Sequence, residues 1–211
     1  MALTRFGRLA PEHVWPAAVH DCWEALAWLK GDGAKLLNLD LSKVAVGGSS
    51  AGGNLAAIMT HKALAEPALV PSIMFQALVV PVTDNTASTA SHASYKENEF
   101  TAALPADKML WYRRHYLPDE STWSHPEASP AYYPDSNFDK LPPAFVGVAQ
   151  LDVLRSEGEL YAQRLNAAGV SADVKVYEGM PHPFMAMDGV LTKGKKLVAD
   201  IGQALKLAYA A

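Results

Sequence analysis

Cys22 is the only cysteine in the chain, which excludes an internal disulfide and fits a reducing compartment. Charge of either sign is in short supply. Acidic side chains outnumber Lys and Arg by only four, so there is no electrostatic footprint for nucleic acid or an anionic membrane. No stretch approaches the roughly 18 consecutive apolar residues that a membrane-spanning helix needs. The opening Met1–Phe6 also lacks the apolar run of a secretory signal. The expected location is therefore the cytoplasm, and the expected partner a small molecule or another protein. His13, His20, His61, His92, His115 and His125 are scattered along the chain without metal-ligand spacing, so neither a metal nor another cofactor is expected. Repeats, low-complexity tracts and linkers are absent too. With 50% hydrophobic residues in a chain of 211, the sequence reads as one domain, residues 1–211, around one core.

The stretch Val44-Ala45-Val46-Gly47-Gly48-Ser49-Ser50-Ala51-Gly52-Gly53-Asn54 reads as a buried strand, a sharp turn and the opening of a helix. Gly48 and Gly52 flank Ser50 in a G-x-S-x-G pattern, where small residues let strand and helix approach and the hydroxyl is lifted off the sheet. The competing reading is a phosphate loop. It would require Lys followed by Ser or Thr where Gly53 and Asn54 stand.

Around that turn, residues 8–19 with two prolines read as an extended loop leading into a helix from Pro16 to about Lys30, stopped by Gly31 and Gly33. The apolar run Val44–Gly47 is predicted as a strand and Gly53 to about Ala65 as a helix. Ile73–Val82, apolar apart from Gln76, reads as a strand covered on both faces. Residues 83–133 turn polar and proline-punctuated, an excursion between strands with one helix near Ala106–Tyr116. Strands at Ala144–Ala149 and Asp173–Tyr177 then alternate with helices at Glu157–Ala168 and Thr192–Ala210. Such alternation predicts an α/β fold with a parallel sheet and flanking helices. Cys22, and with less force the aromatic group Trp111, Tyr112, Tyr116 and Trp123, read as core residues; the aromatics alternatively line a pocket. Glu97 and Glu99 read as solvated.

A serine needs a base to take its proton, and the base needs an acid to hold its tautomer. Asp152 follows one downstream strand and His182 the next, in Gly179-Met180-Pro181-His182-Pro183, so both belong at the carboxyl edge of the sheet with Ser50. Spacing alone leaves open a helix-capping Asp152 and an ordinary loop His182. The blocks RLAPEH (8–13), GGSSAGGN (47–54), LDVLRSEGELYAQRLNAAGV (151–170) and GMPHPF (179–184) resemble, in that order, those of the hormone-sensitive-lipase-like branch of the α/β-hydrolase fold. The resemblance covers nearly the whole chain. It implies a serine carboxylesterase acting on short-chain or aryl esters through an acyl-enzyme, with Ser50 as nucleophile, His182 as base and Asp152 as acid. The Ala51 N–H would serve as one oxyanion donor.

The chain departs from the family pattern in one important way: the HGGG-type oxyanion stretch that precedes RLAPEH in the family has no counterpart here. The first strands and the N-terminal cap are expected to be missing with it. A second expectation follows, that of a catalytically weak or inactive homologue binding a ligand or partner chain. Without those strands, Val44–Gly47 becomes a sheet edge. It carries no charge or proline to prevent pairing, so the chain is expected to pair this edge with a second copy as a homo-dimer, to cover it with its own N-terminal residues, or to aggregate.

Overall fold

The computed structural model describes residues 7–210; the reading of Met1–Phe6 lies outside the described residues. The elements are α1 (Ala17–Trp28), a π-helical turn (Leu29–Gly33), α2 (Ala34–Leu37), β1 (Val44–Ser49), α3 (Ala51–Ala65), β2 (Ile73–Val79), α4 (Ala93–Glu97), α5 (Ala106–Tyr116), α6 (Asp135–Phe138), β3 (Ala144–Leu151), α7 (Arg155–Ala167), β4 (Ala172–Pro181) and α8 (Thr192–Ala210). The four strands form a parallel sheet in the order β1-β2-β3-β4. Each crossover between neighbours carries helix, as parallel strands require.

The sheet is covered on both faces. Leu78, Val146 and Val148 point toward Ala56 and Ala57 of α3 and Tyr161, Ala162 and Leu165 of α7. Phe75, Ala77, Val79, Phe145 and Tyr177 point the other way, onto Leu197 of α8 and onto Phe184. This alternation at period two, with apolar residues on both sides, is why β2 and β3 read as nearly continuous apolar runs. α1 forms an outer layer on α3, through Val19, Leu26, Ile58 and Met59.

β2 stops three residues earlier than the apolar run suggests. Val80 has φ 39°, a left-handed conformation rare for a β-branched residue, and Pro81 has no N–H to give the ladder. The bend drives Pro81 between two helices. A Cβ on Gly53 of α3 would lie 2.9 Å from Pro81 Cβ, and one on Gly158 of α7 would lie 3.4 Å from Pro81 Cδ. These two glycines let α3 and α7 close on the wedge. β4 runs beyond the expected strand at both ends and carries the chain to the residue before His182.

The excursion holds a surprise for the aromatic group. Trp111 and Tyr112 are 54% and 48% exposed, so the core reading is wrong for these two: the buried face of α5 is instead Met109 and Arg113. Arg113 donates to Ala87 O and to Tyr95 Oη, both at 3.0 Å, and lies over the Trp123 ring. A buried guanidinium organises this segment where an aromatic cluster was expected. Cys22 is half-buried and packs against the α1–α3 cluster.

Candidate active site

Ser50 stands between the end of β1 and the first residue of α3, with φ 58° and ψ −117°. Such a conformation costs on the order of 1–3 kcal/mol for a non-glycine residue and persists only where its surroundings over-determine it. Here Ser50 N–H donates to Val79 O at 2.8 Å, and Ser50 O accepts from Asn54 N–H at 3.0 Å. The buried Asn54 side chain ties the start of α3 to Val82 O at 2.8 Å and Ala128 O at 2.9 Å. The two motif glycines are not equivalent. A Cβ on Gly48 would lie 2.3 Å from the backbone C and O of Gly52, whereas one on Gly52 would meet nothing within 4 Å. Steric need at the second position therefore falls on Gly53, against Pro81, rather than on Gly52.

Asp152 lies just past β3 and is fully buried. One of its oxygens, Oδ1, accepts from Leu154 N–H at 3.0 Å, and the other, Oδ2, lies 2.7 Å from His182 Nδ1. Asp152 does not cap α7, whose N-cap is Leu154; Oδ1 closes a local turn ahead of that helix, and Oδ2 faces the histidine. His182 follows β4, and Phe184 anchors its loop by packing, fully buried, against Tyr177 at 5.1 Å between ring centroids. Its Nε2 lies 2.8 Å from Ser50 Oγ. A carboxylate only accepts, so the short bond to Asp152 takes the proton of Nδ1–H and leaves Nε2 as the acceptor for the serine hydroxyl.

Ser50, Asp152 and His182 therefore meet at the carboxyl edge of β1, β3 and β4, although 102 residues separate Ser50 from Asp152. Ala51, the remaining predicted site residue, is exposed. As the first residue of α3 its N–H is among the helix donors without an intrahelical acceptor. A cleft of about 380 Å³ lies elsewhere, lined by Thr83, Asp84, His92, Glu157, Leu160 and Arg164 among others and by none of the three. Proximity of Ser50, His182 and Asp152 carries more weight than cleft size, because it joins a hydroxyl, an imidazole and a carboxyl group in one hydrogen-bonded series.

Outside this site His61, His92, His115 and His125 have structural partners. His61 is fully buried, stacks on Tyr133 at 3.9 Å between centroids and contacts Tyr161 Oη at 3.1 Å. Burial, with the Arg164 charge adding to it, pushes its imidazole down to about 3. Among the described residues no group of three or more His, Cys, Asp or Glu side chains could hold a metal ion. Nor is any described helix long and apolar enough to cross a membrane.

Sequence reasoning missed two groups close to the site. Glu97 is exposed, as its solvated reading expects, but its Oε2 also pairs with Arg155 Nη2 at 2.5 Å. Glu157, one turn into α7, is buried and accepts from the backbone N–H groups of Thr83 at 2.8 Å and Asp84 at 3.3 Å. Its only signal in the sequence is a charged residue on the inner face of a helix.

Known proteins place this arrangement. Residues 8–186 match the family described as the α/β hydrolase fold. An AB hydrolase superfamily protein of Schizosaccharomyces pombe is 53% identical over 203 residues, covering 96% of this chain and 59% of that protein. Carboxylesterase NlhH of Mycobacterium tuberculosis is 37% identical over 179 residues, covering 84% and 54%. The chain thus spans somewhat more than half the length of these relatives. A hyperthermophilic esterase from Pyrobaculum calidifontis superposes with a TM-score of 0.88 at 36% identity, over 97% of this chain and 65% of that one. Parallel sheet, strand-to-helix serine turn and family match agree, and the chain belongs to the α/β-hydrolase fold family.

Proposed function

We propose that the chain carries carboxylic-ester hydrolase chemistry through an acyl-enzyme, with small-molecule esters of short-chain acids or aryl alcohols as substrates. The observation that carries this reading is the continuous hydrogen-bonded series Ser50 Oγ, His182 Nε2, His182 Nδ1 and Asp152 Oδ2. Ser50 Oγ attacks the ester carbonyl carbon while its proton passes to His182 Nε2. The tetrahedral intermediate collapses with that proton returning to the leaving alcohol. Water then attacks the acyl-enzyme by the same route, releasing the acid and Ser50.

Asp152, buried with one oxygen already bonded to Leu154 N–H, holds the ring and stabilises the imidazolium as it forms. The Ala51 N–H, just after the nucleophile, supplies one oxyanion donor. The names of the carboxylesterase and esterase relatives support the ester as substrate.

A second reading is a homologue that binds a ligand or partner chain without turnover, as a serine site short of oxyanion donors would. Loss of one oxyanion donor costs on the order of 10²–10³ in kcat. Two measurements separate the readings. A fluorophosphonate probe is expected to label the wild type and not Ser50→Ala, and p-nitrophenyl butyrate turnover is expected to vanish in His182→Ala. Folded protein that neither labels nor turns over ester refutes the hydrolase reading.

A further inference from the structure

We propose that residues 94–101 act as a splint that positions the Asp152 and His182 loops, with Asn98 as its principal positioning residue; this rests on the roles given above to Ser50, His182 and Asp152. Four side chains of this short segment, Ser94, Glu97, Asn98 and Thr101, recur at i, i+3, i+4 and i+7, the spacing that puts residues on one helical face. α4 supplies the first turn. The stripe continues past its end because Thr101 N–H donates to Asn98 O at 2.9 Å.

That stripe meets the acid loop carbonyl by carbonyl. Gln150 O and Asp152 O each accept from Asn98 Nδ2 at 3.2 Å. Leu151 O accepts from Thr101 Oγ1 at 2.8 Å, and Val153 O from Ser94 Oγ at 2.5 Å. Ser94 and Ser156 also exchange backbone-to-hydroxyl bonds at 3.0 Å in both directions. Glu97 acts indirectly: it holds Arg155, whose Nη1 donates to Gln150 O at 3.0 Å.

Two of these carbonyls, those of Asp152 and Val153, need such partners. Pairing of β3 with β2 ends at Gly147, and its register against β4 shifts between Ala149 and Leu151. The chain therefore leaves the ladder just where it must carry Asp152. Asp152 and Val153 are fully buried, so water is a poor substitute there.

The splint reaches the histidine loop as well. Gln150 Oε1 accepts from Gly179 N–H at 2.7 Å, at a glycine with φ 71° that turns the chain toward His182. Asn98 thus fixes a residue whose side chain fixes the other loop. It touches neither Ser50 nor His182 in any of its hydrogen bonds, so it acts through position alone. Misplacing a catalytic group by about 1 Å costs on the order of 10²-fold in rate, so the effect belongs in kcat.

The test compares Asn98→Asp, which sets an acceptor against two carbonyls, with the near-isosteric pair Thr101→Val and Thr101→Ser. For p-nitrophenyl butyrate we expect kcat to fall roughly 10- to 100-fold in Asn98→Asp and several-fold in Thr101→Val, with KM within about threefold. Thr101→Ser is expected to recover the rate.

A second readout does not need turnover: the low-field proton resonance of His182 Nδ1–H, bonded to Asp152. It is expected in the wild type and in Ser50→Ala, and lost or shifted upfield in Asn98→Asp and Thr101→Val. Should Asn98→Asp not fold, the half-buried Thr101 pair decides by both readouts. Folded variants with wild-type kcat and an unchanged resonance overturn the splint while leaving the hydrolase reading intact. A wild type without ester turnover refutes that reading, and the resonance then decides the splint alone, its absence from the wild type counting against it.

Discussion

Glu157 offers a prediction that tests the buried electrostatics next to the site. Its carboxyl is surrounded by protein: Oε1 accepts two backbone N–H groups, and Oε2 is buried without a partner among the described residues. Burial pushes the carboxyl up from an ordinary 4.5 to about 8; the nearby Asp84 charge pushes the same way, and the two N–H donors and Arg113 only partly offset this. Glu157 is therefore neutral at pH 7 in the folded protein and ionised in the unfolded chain. Below pH 4.5 both states hold the proton. Between 4.5 and about 8 only the folded state holds it, so stability falls as pH rises, and above about 8 the loss is complete.

At about 1.4 kcal/mol per pH unit the whole difference is worth about 5 kcal/mol. Part of that span is masked. His61, neutral in the fold with its imidazole held down to about 3, makes stability rise with pH up to its ordinary value near 6.5 and opposes Glu157 there. From pH 6.5 to about 9 Glu157 acts without that opposition, and its share is about 2 kcal/mol. Glu157→Gln keeps the Oε1 acceptor and stays neutral at every pH. Urea unfolding of both proteins at the two ends of this range should show the wild type losing about 2 kcal/mol more than the variant. Parallel losses in the two proteins would refute the neutral, buried carboxyl.

Two further outcomes follow from the geometry. Gly48→Ala, whose new methyl would fall on the Gly52 backbone, is expected to destabilise by about 3 kcal/mol or more, whereas Gly52→Ala, with open space and a helical position, is expected to gain about 0.5–1 kcal/mol; urea midpoints check both. His61→Phe keeps an aromatic face for Tyr133 and removes the titrating ring, so the acid limb of wild-type stability between pH 6.5 and about 3 should flatten in that variant, as thermal midpoints across that range would show.

Much of the fold is legible in the sequence because its signals are local. The runs at Val44, Ile73 and Ala144 are apolar on both faces, so the sheet shows itself without knowledge of its neighbours, and the serine turn is written in consecutive residues. The failures share a different physics. Glu97 is exposed as read, but its ion pair goes unseen because the partner, Arg155, lies 58 residues away. The polar stripe Ser94, Glu97, Asn98, Thr101 has helical spacing, but its acceptors are backbone carbonyls, which no side-chain pattern announces. Trp111 and Tyr112 look like core residues because aromatics usually are; here Arg113 takes the inward position between them and the rest of α5. The end of β2 is invisible because an apolar run does not reveal a left-handed Val80.

Among the described residues the sheet has two open edges, and they differ in a way that supports a last prediction. β4 is studded with charge: Asp173, Lys175 and Glu178 lie along it, and Lys175 pairs with Asp200 of α8 at 3.4 Å. Charge along an edge strand opposes pairing with a second chain. β1, at the other end of the sheet, reads Val-Ala-Val-Gly-Gly-Ser and has neither charge nor proline. Even the neighbouring Lys43 is turned away, its ammonium donating to Tyr209 O at 3.3 Å. Six residues at about 3.3 Å each present roughly 20 Å of unpaired backbone. We therefore expect the 211-residue chain, taken by itself, to associate through β1 with a second copy as its concentration rises. Light scattering after size-exclusion chromatography measures the mass, and amide exchange locates the contact: β1 amides should gain protection as the mass increases, while β4 amides should not. A monomer at every concentration, with fast-exchanging β1 amides, would show that backbone exposure and missing charge are not enough to make this edge pair.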